Sequence, residues 1–128
     1  MMSKTRRMIA LLSLVLLFSG ASTLAAQDAR PPSKGSVTFI ELGSVNCVPC
    51  RAMQPIMEEV RRKYGARVSV VFHDVWTDAG RPFAKKFGIR VIPTQVFLDK
   101  DGKEYFRHEG FFPAEQLYAV LEKGGAER

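Results

Sequence analysis

The chain has 128 residues and a formal net charge of +6 at pH 7, with 46% hydrophobic and 25% charged residues. This length fits one domain. Three basic residues and no acidic residue fall in the first 26 positions, so the net charge drops from +6 to +3 without them. A surface with this balance of basic and acidic residues is ordinary for a solvated domain and argues against nucleic-acid binding.

Residues 1–26 are predicted to be a secretory signal peptide. A basic start at Lys4, Arg6 and Arg7 precedes an apolar run over 9–18, and small residues follow as far as Ala26. The alternative is an uncleaved anchor that tethers the protein to the inner membrane through residues 8–26. Either way we expect export, to the periplasm or elsewhere outside the cytoplasm. Residues 27–36 are predicted to be a linker or loose arm.

The remaining part, 37–128, is predicted to form one domain of alternating strands and helices. The patterns predict strands over 37–43, 67–74, 94–99 and 103–108, helices over 48–64 and 79–87, and a last helix that Pro113 opens. The first helix has a buried stripe of Met53, Ile56, Met57 and Val60. The order βαβαββα predicts an α/β fold with a central mixed sheet and helices on both faces.

The two cysteines of the chain, Cys47 and Cys50, lie between the first predicted strand and the first predicted helix. Two intervening residues let the sulfurs meet at the first turn of the helix. Unpaired backbone N–H groups and the helix dipole stabilise a thiolate there, and the thiolate is the species that attacks disulfides. This position is typical of a dithiol that exchanges electrons with other thiols.

The same spacing also serves haem attachment and zinc binding, and neither fits this chain. Haem attachment requires histidine directly after the second cysteine, where Arg51 stands. A tetrahedral zinc site needs four ligands, and His73 and His108 are not spaced like a zinc-finger pair. We therefore expect no metal and no cofactor. A redox-active pair and a permanent structural disulfide remain, although the latter would close too short a loop to stabilise the fold much.

Features beyond the cysteines make the pattern more specific. Glu41 lies six positions before the first cysteine, Pro55 lies five after the second, and Gly-Ile-Arg-Val-Ile-Pro-Thr at 88–94 runs into the predicted hairpin. Together these features resemble the thioredoxin family over most of 37–123. The resemblance implies a thioredoxin-like fold in which the first strand and helix of full-length thioredoxins are shortened or absent.

The resemblance also implies roles for three residues. Cys47 matches the attacking cysteine, and Cys50 matches the buried cysteine that resolves the mixed disulfide. Glu41 stands where thioredoxins keep a buried acidic residue that relays a proton to or from the resolving cysteine. Burial would raise the pKa of Glu41 toward neutrality, whereas the alternative is a carboxylate that faces outward.

A substrate-binding surface is the next implication. Pro93 matches the cis-proline of the family, which faces the dithiol and leaves the adjoining backbone free to pair with substrate. We expect Ile92, Val48 and Pro49 to complete this surface.

The chain departs from the family pattern beside the dithiol. Asn46 and Gly43 stand where aromatic residues are usual, and the one tryptophan, Trp76, is distant in sequence. We therefore expect a less apolar dithiol surface and a narrow set of substrates. The family's buried lysine has no match, because Val70 and Phe72 occupy the corresponding strand.

The predicted function is that of an exported thiol-disulfide oxidoreductase that reduces protein disulfides. Val48-Pro49 between the cysteines contains no histidine to stabilise the thiolate, which favours a reductant. The motif is similar to exported reductases, including those of cytochrome c maturation, that draw electrons from a membrane thiol transporter. The alternatives are a periplasmic disulfide oxidase or isomerase, and a non-catalytic binding module of the same fold. We expect protein thiols or disulfides as substrates, a monomer, and no nucleic-acid partner.

Overall fold

Four strands form one mixed sheet in the order β2-β1-β3-β4. The computed structural model describes residues 36–127. Its elements are β1 (Val37–Gly43), α1 (Val48–Tyr64), β2 (Val68–Asp74), α2 (Arg81–Phe87), β3 (Thr94–Leu98), β4 (Glu104–Glu109) and α3 (Ala114–Lys123). The predicted order βαβαββα is confirmed, and the element boundaries differ by one or two residues.

The largest boundary difference is at α2, which begins at Arg81 rather than at 79. Residues 77–80 form a turn in which the Gly80 N–H donates to Thr77 Oγ1 (3.1 Å) and the Thr77 hydroxyl donates to the Asp74 carbonyl (2.7 Å). Pro82 lies in the first turn of the helix, where its fixed φ is favourable and a backbone N–H is not needed.

The central strand is β1, and all seven of its residues are buried. It pairs in parallel with β2 and antiparallel with β3, and β3 pairs antiparallel with β4. The parallel pair is joined through α1, as a crossover connection requires. Because β1 ends at the start of the loop that leads into α1, the centre of the sheet positions the dithiol.

Helices cover both faces of the sheet, as predicted. On one face, α1 and α3 pack over Phe39 and Phe97, whose rings stack with centroids 5.1 Å apart. On the other face, α2 packs over Ile40, Leu42 and Val96. The buried stripe predicted for α1 is confirmed, since Met53, Ile56, Met57 and Val60 are all buried. Alternation along β1 therefore places the odd-numbered residues, including Glu41, on the α1 side.

Several predictions concern residues outside the described range: the signal peptide or anchor over 1–26, nearly all of the linker over 27–36, and a shortened or absent strand and helix before β1. Within residues 36–127, none of the helices has the length and apolar character needed to cross a membrane.

Candidate active site

Cys47 and Cys50 form a disulfide at the start of α1, with their Cα atoms 5.2 Å apart. Cys47 is the N-cap residue, and Pro49 lies in the first turn. The two cysteines differ in access, because Cys47 is 8% exposed and Cys50 is completely buried. This is the arrangement that an attacking and a resolving cysteine need.

The backbone around Cys47 provides an electropositive setting for its sulfur. The Cys50 N–H donates to Cys47 Sγ over 3.4 Å, and the Arg51 N–H donates to the Cys47 carbonyl over 3.0 Å. The first turn of α1 contains no acidic residue. When the disulfide is reduced, the helix N-terminus therefore stabilises a thiolate on Cys47, which is the form that attacks a disulfide.

The end of β1 packs against Cys50 and pairs with the residue that follows Pro93. A Cβ atom built on Gly43 would lie only 3.1 Å from Cys50 Sγ. Leu42 pairs with Thr94 in the antiparallel register. The Ile92–Pro93 peptide bond is cis, as the family resemblance implies.

Two hydrogen bonds hold the Pro93 loop. The Thr94 hydroxyl donates to the Val91 carbonyl (2.7 Å), and the Gly110 N–H donates to the Pro93 carbonyl (2.8 Å). Pro93 itself is buried and Ile92 is half-buried. The other two predicted substrate-binding residues, Val48 and Pro49, are exposed beside the disulfide.

Glu41 is fully buried, so the alternative of an outward-facing carboxylate is wrong. Its partner in β2 is Phe72, which places an aromatic ring rather than a cation in that strand. Burial raises the pKa of Glu41 to about 8, and a hydrogen bond from Gln95 partly opposes this rise. The carboxyl therefore exchanges a proton near neutral pH, which suits it to proton transfer.

Within residues 36–127, no group of three or more His, Cys, Asp or Glu side chains is arranged to hold a metal ion.

The comparison with known families decides the identity of this fold. A family model described as the thioredoxin-like domain matches residues 24–125. The chain belongs to the thioredoxin-like family. With the Cys47–Cys50 pair at the start of α1, it is a thiol-disulfide oxidoreductase that acts through this pair.

Individual thioredoxins align over much of the chain. It is 38% identical to chloroplastic thioredoxin Y of Oryza sativa subsp. japonica over 82% of its own length and 57% of that protein. It is 31% identical to a thioredoxin of Staphylococcus saprophyticus over 70% of its own length and 84% of that protein. The X-ray structure of Fasciola hepatica thioredoxin superposes with a TM-score of 0.62 at 28% identity, covering 71% of this chain and 83% of that one.

Gln95 is a residue of this thioredoxin-like site that the sequence reasoning missed. It is fully buried on β3, directly opposite Glu41 in the register. Its Nε2 donates to Glu41 Oε1 over 3.4 Å and to the Gly110 carbonyl over 3.1 Å. An amide at an inward-facing position of an otherwise apolar strand is the signal that could have revealed it.

Large hydrophobic side chains are exposed at several positions within residues 36–127: Val45, Val48, Trp76, Val91 and Phe111. In the chain, Val45 and Val48 lie on either side of Cys47, Val91 precedes the cis peptide, Phe111 follows Gly110, and Trp76 is on the loop after β2. Two apolar side chains are therefore exposed within two residues of Cys47, although Gly43 and Asn46 are not aromatic.

Asp74 connects the loop of Trp76 to the loop that leads to Cys47, although these loops are distant in sequence. One carboxylate oxygen of Asp74 accepts from the Val45 N–H (3.2 Å), and the other accepts from the Trp76 N–H (3.1 Å). The loop after β2, with the exposed side chain of Trp76, is therefore joined to the segment that precedes Cys47.

Proposed function

We propose that the protein is an exported reductase that transfers two electrons from its dithiol to the disulfides of protein substrates. The observation that carries the proposal is the unequal access of the two sulfurs at one helix N-terminus. Cys47 is slightly exposed, with exposed Val45 and Val48 on either side of it in the chain, whereas Cys50 is completely buried. A substrate disulfide can reach only the first of them.

The reduced protein acts in two steps. The Cys47 thiolate attacks one sulfur of the substrate disulfide, which forms a mixed disulfide and releases the other substrate sulfur as a thiolate. Cys50 then loses its proton to the Glu41 carboxylate and attacks Cys47 Sγ. The Cys47–Cys50 disulfide forms, the mixed disulfide breaks, and the second substrate sulfur leaves. The substrate gains two electrons and the dithiol loses them.

The direction of electron flow rests on the residues near Cys47. Neither Val48 nor Pro49 can donate a hydrogen bond from its side chain to the thiolate, so only the helix N-terminus stabilises it. A moderately stabilised thiolate favours a reductant over an oxidase, because a strongly stabilised reduced form makes a dithiol oxidising.

Export and electron supply are part of the proposal. The basic and apolar pattern of residues 1–26 supports delivery to the periplasm, with cleavage or with tethering through residues 8–26. Oxidising compartments have no cytosolic thiol pool, so a membrane thiol transporter would have to return electrons to the Cys47–Cys50 disulfide. Cytochrome c maturation is one process that needs such a reductant, since haem attachment requires free cysteines. We propose that the protein works as a monomer.

Three measurements test the proposal. The protein with dithiothreitol should accelerate the reduction of insulin disulfides, and Cys47→Ser should abolish the acceleration. The reduction potential of the Cys47–Cys50 pair should be about −270 mV, whereas a value of about −120 mV would indicate an oxidase. Expression of the full chain in a bacterial host should deliver it outside the cytoplasm; retention in the cytoplasm would contradict export.

A further inference from the structure

Gln95 connects the buried carboxyl of Glu41 to the Pro93 loop. It lies on β3, two residues after Pro93, and its side chain is fully buried. Its single amide nitrogen donates both to Glu41 Oε1 (3.4 Å) and to the Gly110 carbonyl (3.1 Å). The Gly110 N–H in turn donates to the Pro93 carbonyl (2.8 Å). A continuous hydrogen-bonded chain therefore joins Glu41 to the loop that carries the cis peptide.

The backbone fixes the orientation of this amide. A backbone carbonyl is only an acceptor, so the amide nitrogen, and not its oxygen, must face Gly110. The same nitrogen then presents its second hydrogen to Glu41 Oε1. This leaves Oε2 as the carboxyl oxygen of Glu41 that carries the proton in the neutral form.

Glu41 Oε2 is available to carry this proton. It is buried and has no hydrogen-bond partner among residues 36–127. Glu41 is also the nearest residue before Gly43 that points to the same face of β1, and Gly43 is the residue against which Cys50 Sγ packs. The unpaired oxygen therefore belongs to a carboxyl on the same side of the sheet as the resolving sulfur.

Few other titratable groups face this pair of side chains. From β2 the residue opposite the carboxyl is Phe72, and from α1 Cys50 packs against Gly43, two residues further along the same face. From β4 the residue opposite the amide is His108, whose Nε2 lies 3.1 Å from a backbone carbonyl. Tyr64 and Tyr118, on α1 and α3, belong to the core on this face and pack against each other. Burial and the amide are the causes that set the pKa of the carboxyl.

We infer that Gln95 is a positioning residue for proton transfer: it holds Oε1 of Glu41, directs the exchangeable proton to Oε2, and links this carboxyl to the Pro93 loop. The inference rests on the proposed function. In the resolving step the Cys50 thiol proton moves to Oε2. The Cys50 thiolate then bonds to Cys47 Sγ while the bond between Cys47 and the substrate sulfur breaks, and the substrate thiolate leaves with the electron pair.

The test compares Gln95→Leu, and Gln95→Met as a second apolar variant, with the wild type. Val96→Ala is the matched control, since Val96 is buried on the same strand but packs on the opposite face. Two quantities are measured between pH 6 and 10: the rate of insulin reduction, and the titration of the Glu41 carboxyl by ¹³C NMR in the oxidised protein. The titration does not depend on turnover.

Loss of the amide donor should raise the pKa of Glu41 in either apolar variant. Each unit of increase lowers the carboxylate fraction at pH 7 about tenfold, so kcat should fall roughly tenfold there with little change in KM. The deficit should shrink as the pH rises above the new pKa. A purely structural defect would lower the rate equally at every pH. In the Glu41→Gln background, Gln95→Leu should have no further effect on kcat.

Three outcomes would overturn the inference. An unchanged Glu41 titration in both apolar variants would show that Gln95 does not interact with the carboxyl. A rate deficit that is independent of pH would contradict the positioning role. An equal loss in the wild-type and Glu41→Gln backgrounds would show that Gln95 acts elsewhere. Absence of insulin reduction by the wild type, with a normal shift in the titration, would instead contradict the proposed function on which the role depends.

Discussion

Gly43 packs directly against Cys50: a Cβ atom at position 43 would lie 3.1 Å from the sulfur and 3.2 Å from Cβ of Cys50. The last residue of the central strand thus packs against the buried cysteine. Since Glu41 is two residues earlier on the same face, the same strand also carries the carboxyl that we propose as proton acceptor.

A side chain at position 43 should therefore disturb the buried sulfur. We expect Gly43→Ala to lower the free energy of unfolding by about 1–2 kcal/mol, because a contact this short forces the neighbouring atoms to shift. Chemical denaturation of the reduced protein measures the loss. Cys50→Ala is the control background, which keeps the Cβ but not the sulfur of Cys50, so the penalty should be smaller there. Equal penalties in the two backgrounds would contradict the contact.

Glu41 should make stability depend on pH. Its pKa is raised from 4.5 to about 8 in the folded protein, so the folded state retains a proton that the unfolded state loses above pH 4.5. Stability should therefore fall as the pH rises from about 4.5 to 8 and change little above 8. The full effect is at most about 5 kcal/mol. Glu41→Gln, which is neutral and of similar shape, should remove this fall.

Denaturation of the oxidised wild type and of Glu41→Gln at pH 5 and pH 8 measures the difference. The variant should gain stability relative to the wild type at the higher pH. The oxidised form is used because its cysteines do not titrate. A constant difference between the two proteins across this range would show that Glu41 is ionised in both states.

The two cysteines should differ in reactivity after reduction. Cys47 is partly accessible at the helix N-terminus, and Cys50 is completely buried. We expect iodoacetamide to label Cys47 at least about tenfold faster, because alkylation needs an accessible thiolate. Mass spectrometry of peptides from briefly labelled protein gives the ratio, with unfolded protein as the control. Equal labelling of the folded protein would contradict the assignment of attacker and resolver.

Trp76 should contribute to the binding of protein substrates. Its side chain is exposed, and Asp74 connects its loop to that of Val45, which leads to Cys47. Trp76→Ala should lower kcat/KM for insulin about fivefold or more, equivalent to about 1 kcal/mol or more. The rate with a small disulfide such as oxidised glutathione should change little.

Trp76→Phe is the matched control, since it keeps an aromatic ring at the same position and should retain most of the activity. A parallel loss with both substrates would indicate damage to the dithiol rather than to substrate binding.

Sequence patterns were sufficient for most of the fold. The strand pattern over 37–43, the apolar stripe of α1 and the predicted hairpin of β3 and β4 are local signals, and each predicted its element correctly. The start of α2 was less predictable, because it is delayed by the Thr77 hydroxyl, which donates to the Asp74 carbonyl and accepts from the Gly80 N–H. The cis bond before Pro93 followed from the family resemblance and not from any local rule.

The candidate site also has features that the sequence predicted and features that it did not. The sequence by itself determined the chemistry, because two cysteines at this spacing before a helix, together with the resemblance to thioredoxins at Glu41 and Pro93, predict a redox dithiol. Only the tertiary structure decided which other residues join it. Gln95 meets Glu41 through cross-strand register, and Asp74 joins the loop of Trp76 to that of Val45. Contacts between residues dozens of positions apart depend on how strands align, and local residue patterns do not specify that alignment.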